Sequence, residues 1–418
     1  MRNAGVLCAA VLTVAGLSWA ACQGDETPSA SFPHFRVQEI ETGLTVGYCV
    51  LLVDINGDGK KDIVVADSRR VVWYENPTWQ RHTILEGQSK PDNVSIAAYD
   101  IDGDGKLDLA LAADWKPFNT REGGTLQWLQ QGKTPDEPWT LHPIGNEPTV
   151  HRIRFADIDG SGKARLLVGP LMGRESTQKA NWMDGRPVRL LAYKIPKDPV
   201  HDVWEPDVID ESLHVLHNFW PVAASSGKGL DILCASYEGV NLLSRDVSGK
   251  WQRRHLGEGN QANPRSNRGS SEIKQGKLKN GGKFLATIEP WHGNQVVVYT
   301  EPVDPSKGLW DRHVLDDQLR WGHAVWCADL DGDGDDELII GVRDNLADKP
   351  GQRRGVRIYK AVDEAGTKWA RQIIEDGGVA VEDLSVADLD GDGQSDLVAV
   401  GRQTHNIRIY WNEGVRRP

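Results

Sequence analysis

The amino-acid sequence predicts an all-β fold, a seven-bladed β-propeller that occupies residues 35–418 and is closed by its N-terminal strand. Three observations support this prediction: an acidic turn recurs along the chain, a set of similar apolar strands recurs with it, and a further set of strands begins with Trp. Self-similarity at a regular spacing is the signature of a repeat architecture. Four-stranded units arranged around a channel form a propeller, which leaves only short sheet edges exposed.

The strands that come third in each unit predict the number of blades. They are short, rich in Val, Ile, Leu and aromatic residues, and bounded by Gly, Asp or Pro, as expected for strands. Seven occur: VVWYENP, LQWLQQG, VRLLAYKIP, VNLLSRD, VVVYTEP, VRIYKAV and IRIYWNEG. Six strands that begin with Trp follow them, at Trp79, Trp139, Trp204, Trp251, Trp310 and Trp369. The missing seventh is FRVQEIETG at 35–43, so we expect the N-terminal strand to complete the last blade.

The acidic turns join first to second strands and resemble cation-binding loops. They are DINGDGKKD (54–62), DIDGDGKLD (100–108), DIDGSGKAR (157–165), DLDGDGDDE (329–337) and DLDGDGQSD (388–396). Oxygens at alternate positions of a tight, glycine-containing loop suit a hard cation, Ca²⁺ or Mg²⁺. Four loops have the oxygen ligands: Asp54, Asn56, Asp58 and Asp62; Asp100, Asp102, Asp104 and Asp108; Asp329, Asp331, Asp333 and Glu337; Asp388, Asp390, Asp392 and Asp396. Ser161 and Arg165 interrupt the loop at 157, where we expect no ion. Because the same loop occurs four times, we expect these ions to stabilise the hairpins and not to take part in catalysis.

A second set of polar residues is expected at the other end of the channel, where the first strands begin. Six residues before the acidic turn, or at the aligned position, the chain offers Tyr48, His151, His217, His323 and Glu382, with Glu272, Asp92 and Asn93 close to it. An even offset keeps these side chains on one face of their strands. The loops between second and third strands reach the same mouth and carry Asp114, Trp115, Tyr237, His292, Arg343, Arg402 and His405.

The sequence therefore predicts one polar pocket that gathers four histidines with Glu272 and Arg343. Imidazoles with a carboxylate are the usual ligands of Zn²⁺ or a similar divalent transition metal. The alternative is that these histidines only line the channel and form hydrogen bonds. Trp115, Trp220, Trp291 and Trp321 are candidates for stacking on sugar rings, or for packing between blades.

Three segments resemble the propeller of the aldos-2-ulose dehydratase (anhydrofructose dehydratase) family, whose blades are FG-GAP/VCBS-type repeats. They are VHRIR (150–154), IEPWHGNQVVVYTEP (288–302) and WGHAVWCADLDGDGDDELIIGVR (321–343), and the likeness extends over about 35–414. The resemblance implies a propeller that binds divalent metals and dehydrates keto sugars. The cupin domains of that family do not follow blade seven in this sequence, so only the elimination step is implied. Its substrate would be a keto sugar or an oxidised glycoside.

The expected lyase chemistry assigns roles to the pocket residues. A metal on the carbonyl oxygen stabilises the enolate formed when a base removes the neighbouring proton. His151, which matches the VHRIR-type histidine of the family, is the candidate base, and His217, His292 and His323 are the candidate metal ligands. Glu272 is either a fourth ligand or the general acid, and Tyr48 is a further catalytic candidate. Arg343, Trp115 and Asp92 would hold the sugar, and these roles remain interchangeable.

Two other functions stay open at this point. A polysaccharide lyase acting on uronates would need several Arg or Lys at the mouth, where Arg152, Arg343 and Arg402 are the candidates. A non-catalytic, calcium-binding carbohydrate or adhesion propeller would explain the acidic loops but not the histidines. The formal charge of −12 argues against binding to nucleic acid or to anionic lipid surfaces.

Residues 1–34 are expected to be an export signal and a tether. MRNAGVLCAAVLTVAGLSWAAC combines an Arg, an apolar stretch and a small-residue exit, as in a secretory signal. Cys22 stands where a lipoprotein would be lipidated, and ordinary cleavage after Ala20 or Ala21 is the alternative. The chain is thus expected to be periplasmic or anchored to the cell envelope. Cys49, Cys234 and Cys327 form no disulfide framework.

Overall fold

A computed structural model describes Met1 and residues 30–343 and 354–416. Within these ranges it contains 28 strands in seven four-stranded antiparallel sheets, with two short 3₁₀ helices at Gln178–Ala180 and Pro305–Lys307. The seven-bladed all-β prediction is confirmed. The predicted export signal with Cys22 lies outside the described residues.

The first four blades follow one another in chain order, each from its innermost to its outermost strand. Blade one comprises β2 (Gly47–Val53), β3 (Asp62–Asp67), β4 (Arg70–Glu75) and β5 (Gln80–Glu86); blade two β6 (Ser95–Tyr99), β7 (Asp108–Ala113), β8 (Thr125–Gln130) and β9 (Thr140–Asn146); blade three β10 (Val150–Ala156), β11 (Arg165–Pro170), β12 (Val188–Lys194) and β13 (Pro206–Leu213); blade four β14 (Asn218–Ala223), β15 (Leu230–Ser236), β16 (Gly239–Arg245) and β17 (Trp251–Gly257).

The remaining blades keep the same order until the last one. Blade five comprises β18 (Glu272–Lys277), β19 (Lys283–Glu289), β20 (Gln295–Thr300) and β21 (Asp311–Asp316); blade six β22 (Gly322–Ala328), β23 (Glu337–Val342), β24 (Gly355–Ala361) and β25 (Trp369–Asp376); blade seven β26 (Val381–Ala387), β27 (Asp396–Gly401), β28 (Ile407–Asn412) and β1 (Phe35–Glu41).

The N-terminal strand β1 forms the outer edge of blade seven. It pairs antiparallel with β28, from Phe35 opposite Asn412 to Glu41 opposite Ile407. The Glu39 carboxylate also accepts a hydrogen bond from Arg408 Nε at 2.9 Å. The two ends of the described propeller are therefore held in one sheet, as the sequence predicts.

The core lies between neighbouring blades. The second strand of most blades is buried along its whole length because a sheet packs against each of its faces; every residue of β3, β7, β23 and β27 is buried. Such strands therefore consist largely of Val, Ile, Leu and Ala. The acid at the start of each of these strands is also buried and accepts backbone N–H bonds; Asp62, for example, accepts from Ile55 and Asn76, both at 2.9 Å.

Charged contacts connect successive blades near their outer edges. Asp316, at the end of blade five, accepts hydrogen bonds from Tyr359 Oη at 2.7 Å and Arg371 Nη1 at 2.6 Å, both in blade six. Glu41 accepts in the same way from Tyr74 Oη at 2.9 Å and Arg81 Nη1 at 3.2 Å of blade one. Hydrogen bonds to charged groups are among the stronger ones in proteins, so these contacts hold the blades in register.

Cys49, Cys234 and Cys327 are free thiols, as expected. Within the described ranges, no helix has the length and apolar character needed to cross a membrane.

Candidate active site at the histidine mouth

The beginnings of the seven innermost strands form a ring around one end of the channel, which we call the histidine mouth. Strand pairing identifies the equivalent residue of each blade, which we call the ring position. In blades one, three, six and seven, the ring position lies at a shift in the register between the first and second strands. In blades two, four and five, it is the residue immediately before the first paired residue of the innermost strand, and its backbone N–H donates to a carbonyl of the second strand. The ring positions are Tyr48, Val94, His151, His217, Ser271, His323 and Glu382.

The sequence analysis named the ring position itself in five blades and polar neighbours of it in the other two. Blade two places Val94 there, with the predicted Asp92 two residues earlier. Blade five places Ser271 there, so Glu272 is the next residue and projects from the opposite face of the strand. In blade two the residue six before Asp100 is Val94 itself, and in blade five the link between β18 and β19 has no acidic turn from which to count.

Three imidazoles converge at this mouth. One ligand nitrogen from each of His217, His292 and His323 lies within 4.8 Å of the others. The Nε2 atoms of His217 and His292 are 2.9 Å apart. His217 and His323 are buried, with 1% and 2% of their surfaces exposed. Because buried polar atoms that face each other need a shared proton or cation, this arrangement fits a metal centre.

The strand edges that face the channel orient two of these rings. His323 Nδ1 lies 2.5 Å from the backbone oxygen of Glu382, and His217 Nδ1 lies 3.2 Å from that of Ser271 and 2.8 Å from Glu272 Oε1. These oxygens can only accept hydrogen bonds, so each Nδ1 carries the proton and each Nε2 presents a lone pair. Histidine ligands of metals are commonly oriented in this way.

His292 reaches the site on the loop between β19 and β20. Its backbone has a φ of 50°, and its ring stacks on Trp291 at 4.8 Å between ring centroids. The loop is anchored by Glu289, a fully buried carboxylate that accepts hydrogen bonds from Tyr299 Oη at 2.7 Å and from two nitrogens of Arg312 at 2.9 and 2.7 Å. This anchor holds the imidazole toward the other two.

His151 differs from these three histidines. It is 3% exposed, yet neither ring nitrogen has a hydrogen-bond partner among the described residues. Its ring stacks on Trp115 at 5.3 Å and lies 4.8 Å from the ring of His217. A ring that is held by stacking, with both nitrogens available beside the cluster, suits a base better than a ligand.

Burial keeps the four imidazoles uncharged. It is the main cause that lowers the pKa of His151, His292 and His323 well below the ordinary value, and nearby Arg152 and Arg343 lower it further. For His217 burial again lowers the pKa, although Glu272 opposes this. Neutral imidazoles are the form that binds metals and accepts protons.

The other side of the mouth carries a phenol and a network of ion pairs. Tyr48 Oη donates to Asp92 Oδ1 at 3.1 Å, and burial and the Asp92 charge raise the pKa of Tyr48. Glu382 pairs with Arg343 Nη1 at 3.2 Å and with Arg402 Nη1 at 3.1 Å. Tyr48 also meets Trp115 edge to face at 5.9 Å. Tyr48, Asp92, Trp115 and Arg343 therefore share the mouth with the histidines.

Comparison with known proteins agrees with the resemblance seen in the sequence. Residues 123–302 match the family model described as the β-propeller domain of aldos-2-ulose dehydratase, and residues 54–111 and 329–399 match that of FG-GAP-like repeats. Aldos-2-ulose dehydratase from Phanerodontia chrysosporium is 30% identical over 269 residues, which cover 60% of this chain and 29% of that protein. Residues 123–302 are therefore similar to the propeller domain of aldos-2-ulose dehydratase, and the chain spans less than a third of the length of that relative.

Solved structures share the fold of this seven-bladed propeller. A chain in the crystal structure of BBS1N in complex with ARL6DN, soaked with lead, has a TM-score of 0.55 at 14% identity and covers 92% of this chain and 98% of its own. A chain of the mitotic checkpoint complex has a TM-score of 0.54 at 12% identity, covering 96% and 100%. At such low identity these similarities show the fold alone.

Several residues that the sequence predicts at the histidine mouth have other partners. Asp114 pairs with Lys90 at 3.2 Å and Lys116 at 3.1 Å. His405 Nδ1 bonds the backbone oxygen of Thr45 at 3.0 Å. Trp220 lies lower in the channel, 5.5 Å from Trp326. Sequence reasoning also missed that carbonyl groups of the next blade orient His217 and His323, because backbone partners leave no signal in side-chain patterns.

Three acidic hairpins bring carboxylates together at the opposite mouth. Oxygens within 4.8 Å of one another come from Asp100, Asp102 and Asp108; from Asp329, Asp331 and Asp333; and from Asp388, Asp390 and Asp396. These sets suit hard cations. In the hairpin at 54–62, Asp54 accepts from the N–H groups of Gly57 at 2.7 Å and Gly59 at 2.9 Å, the same turn geometry.

Basic side chains enter two of the hairpins. Arg165 Nη2 lies 3.1 Å from Asp159 Oδ2 in the turn where the sequence predicts no ion. In the hairpin at 329–337, Lys360 Nζ contacts Asp331, lies 2.9 Å from Asp333 Oδ2 and 3.8 Å from Glu337 Oε1. The ammonium thus contacts three of the four predicted ligands of this hairpin, which the sequence did not reveal because Lys360 lies on β24.

Proposed function

We propose that this protein is a metal-dependent carbon–oxygen lyase that acts on keto sugars or oxidised glycosides, by proton abstraction next to the carbonyl and β-elimination. The observation that carries the proposal is the convergence of His217, His292 and His323 beside His151, whose two ring nitrogens are unpartnered among the described residues. The similarity to aldos-2-ulose dehydratase supports the reaction class.

His217, His292 and His323 are the residues that would hold the metal, with Zn²⁺ or a similar divalent transition metal as the expected ion. Their neutral rings and the fixed Nδ1 protons of His217 and His323 suit that role. Bound there, such an ion would polarise a substrate carbonyl and stabilise the enolate charge.

Glu272 suits a positioning role in this scheme. Burial raises the pKa of its carboxyl, but the hydrogen bond from His217 and the nearby charges of Arg152 and Lys274 outweigh burial and lower the pKa overall. One oxygen faces His217 Nδ1 and the other accepts a hydrogen bond from Asn218. An ionised carboxylate that is bound in this way orients an imidazole and is poorly placed to donate a proton.

His151 would take the proton from the carbon next to the carbonyl. Tyr48 is the candidate for the general acid, because its hydroxyl lies at the same mouth and the phenol carries a proton that it donates to Asp92. Arg343, Asp92 and Trp115 would orient the sugar, Trp115 through its indole face and the other two through polar contacts. The leaving group would be a hydroxyl or the alkoxide of a glycoside.

The uronate-lyase alternative has less support at this mouth. Arg343 and Arg402 both pair with Glu382, so their charges are partly neutralised before an anionic substrate arrives. A non-catalytic adhesion propeller would have no need for a histidine cluster oriented by backbone carbonyls.

The proposal also includes structural Ca²⁺ or Mg²⁺ in the acidic hairpins, a small carbohydrate as partner, and no nucleic-acid partner. We further propose that the protein is exported to the periplasm or cell envelope, with a lipid at Cys22 as its only membrane attachment.

Mass spectrometry of the purified N-terminus tests this lipid attachment. A diacylated Cys22 supports the proposal, whereas an unmodified Cys22, or a mature chain that begins after Cys22, contradicts it.

Elemental analysis of the purified protein tests the metal centre. We expect about one transition-metal ion per chain, apart from Ca²⁺ or Mg²⁺. The His217→Ala and His323→Ala variants should lose this ion while remaining folded. His255→Ala, on the outer strand of blade four, is the matched control and should retain it.

A parallel assay follows the conjugated enone formed when a 3-keto-glucoside undergoes elimination. Turnover that disappears with the metal in both variants and survives in His255→Ala supports the proposal. If the protein holds no transition metal and the variants match the wild type, the proposed mechanism is wrong.

A further inference from the structure

A cavity of about 360 Å³ lies in the central channel on the side of the ring away from the histidine mouth. We call it the lower chamber. Its walls come from the innermost strands of the blades, and Arg152, Asn218 and Glu272 separate it from the histidines above. A volume of this size is in the range of small-molecule sites.

One level of the lower chamber alternates cations with indoles. This layer of the chamber consists of seven residues, one per blade, each three positions after the ring position in the sequence. In blades three to six these residues are Arg154, Trp220, Lys274 and Trp326, and in blades seven, one and two they are Ser385, Leu51 and Ala97. The large polar and aromatic groups thus lie together on one wall, opposite small or aliphatic side chains that leave space.

Lys274 is a buried cation in need of a counter-ion. The residue is 6% exposed, and its side chain makes no hydrogen bond or ion pair with another described residue. Its ammonium instead lies 3.9 Å from the ring centroid of Trp220 and 5.1 Å from that of Trp326. Buried ammonium groups are normally paired with an anion.

Arg154 adds a second cation on the same wall. Its guanidinium lies 4.9 Å from the ring centroids of both Trp220 and Phe219, and its buried Nη1 has no hydrogen-bond partner among the described residues. Burial lowers the pKa of Lys274 to about 8 and that of Arg154 to about 10. Both remain cations at neutral pH.

The two carboxylates of the lower chamber neutralise this wall only in part. Glu272 faces His217 and Asn218, and Asp383 Oδ2 accepts the backbone N–H of Val50 at 3.0 Å. Arg152 is a third cation, and its Nη1 bonds the backbone oxygen of His151 at 3.3 Å. The lower chamber therefore contains three cations and two carboxylates, which gives it a net charge of one positive unit.

We propose that the lower chamber is a second binding site, which takes a hexuronate or a similar sugar-sized carboxylate. The carboxylate would pair with Lys274 and Arg154, and the apolar face of a pyranose ring would pack on Trp220 or Trp326. This site is distinct from the histidine mouth and does not depend on the proposed lyase reaction.

Isothermal titration of the full chain with sodium D-glucuronate tests the site. We expect saturable binding of one glucuronate per chain. D-glucose, which has the same ring without the charge, and sodium sulfate, which has charge without the ring, should each bind at least about tenfold more weakly. Lys274→Met should weaken glucuronate binding by at least about tenfold. Lys277→Met, exposed on the same strand β18, should bind like the wild type.

Other outcomes overturn the proposal. Glucose that binds as tightly as glucuronate would show a neutral sugar site, and sulfate that binds as tightly would show a simple ion site. Unchanged glucuronate binding in Lys274→Met, or in Arg154→Gln if the first variant is unstable, would show that these cations do not recognise the carboxylate. His323→Ala separates the two sites: loss of glucuronate binding in that variant would place the anion at the histidine mouth.

Discussion

At the scale of single residues, three histidines at equivalent ring positions meet different neighbours. His217 and His323 each direct Nδ1 toward the ring-position carbonyl of the next blade, Ser271 or Glu382. His151 makes no such bond and stacks on Trp115. The same position therefore yields two oriented ligands and one ring with free nitrogens, because an imidazole takes its role from what holds its other nitrogen.

Replacement of His151 separates a base from a ligand. His151→Phe keeps an aromatic ring against Trp115 and removes both nitrogens, so we expect kcat for the keto-glycoside to fall by about 10²–10⁴. The transition-metal content should stay at the wild-type level, measured by elemental analysis. If the metal is lost as well, His151 is a ligand and another residue is the base.

At the scale of elements, the hairpins at 329–337 and 100–108 share a sequence pattern but differ in their surroundings. Burial and the charges of Asp331 and Asp333 raise the pKa of Glu337 to about 8, and Lys360 opposes this. In the hairpin at 100–108, Lys106 pairs only with Asp104, at the exposed end. Lys360 therefore compensates the negative charge among the carboxylates of the hairpin at 329–337, whereas Lys106 compensates only one exposed carboxylate of the hairpin at 100–108.

Substitution of Lys360 tests whether its ammonium competes with a cation. Lys360→Met leaves the carboxylates of 329–337 without this charge, so the melting temperature in a chelator should fall. Added Ca²⁺ should then stabilise the variant by about 1–3 kcal/mol more than it stabilises the wild type. Thermal melts with and without Ca²⁺ measure this difference.

Lys368→Met, an exposed lysine of the same blade, serves as the control and should respond to Ca²⁺ like the wild type. An unchanged calcium response in Lys360→Met would show that this hairpin binds no ion.

At the scale of the whole molecule, one strand closes the ring. β1 supplies the outer edge of blade seven, and its Glu41 contacts Tyr74 and Arg81 of blade one. Without β1, the edge of β28 would be free to pair with another chain. The contacts that connect blade seven to blade one would be lost at the same time.

Truncation tests this closure. A chain that begins at residue 43 should melt at a lower temperature, by more than about 5 °C, and should associate, whereas a chain that begins at residue 31 should behave like the longer protein. Calorimetry and size-exclusion chromatography measure the two effects. Equal melting temperatures and monomeric behaviour for both chains would show that β1 is dispensable.

Local patterns were sufficient for much of this architecture. The alternation of apolar strands with acidic turns predicted the seven blades, and the motif FRVQEIETG predicted the closing strand, because both depend on residues adjacent in the chain. The six-residue offset also placed His151, His217 and His323 at one mouth. In blade two it gives the apolar Val94, with Asp92 two residues earlier, and in blade five no acidic turn remains from which Ser271 or its neighbour Glu272 could be located.

The sequence by itself thus determined the fold class, the order of the strands and the mouth to which each polar residue belongs. Only the tertiary structure decided which histidine nitrogens are held by backbone carbonyls, that Lys360 enters an acidic hairpin and that Lys274 lies against Trp220 and Trp326. These facts depend on contacts between blades. The ring brings together side chains that are dozens of residues apart, and the spacing within one repeat carries no information about what the next blade presents.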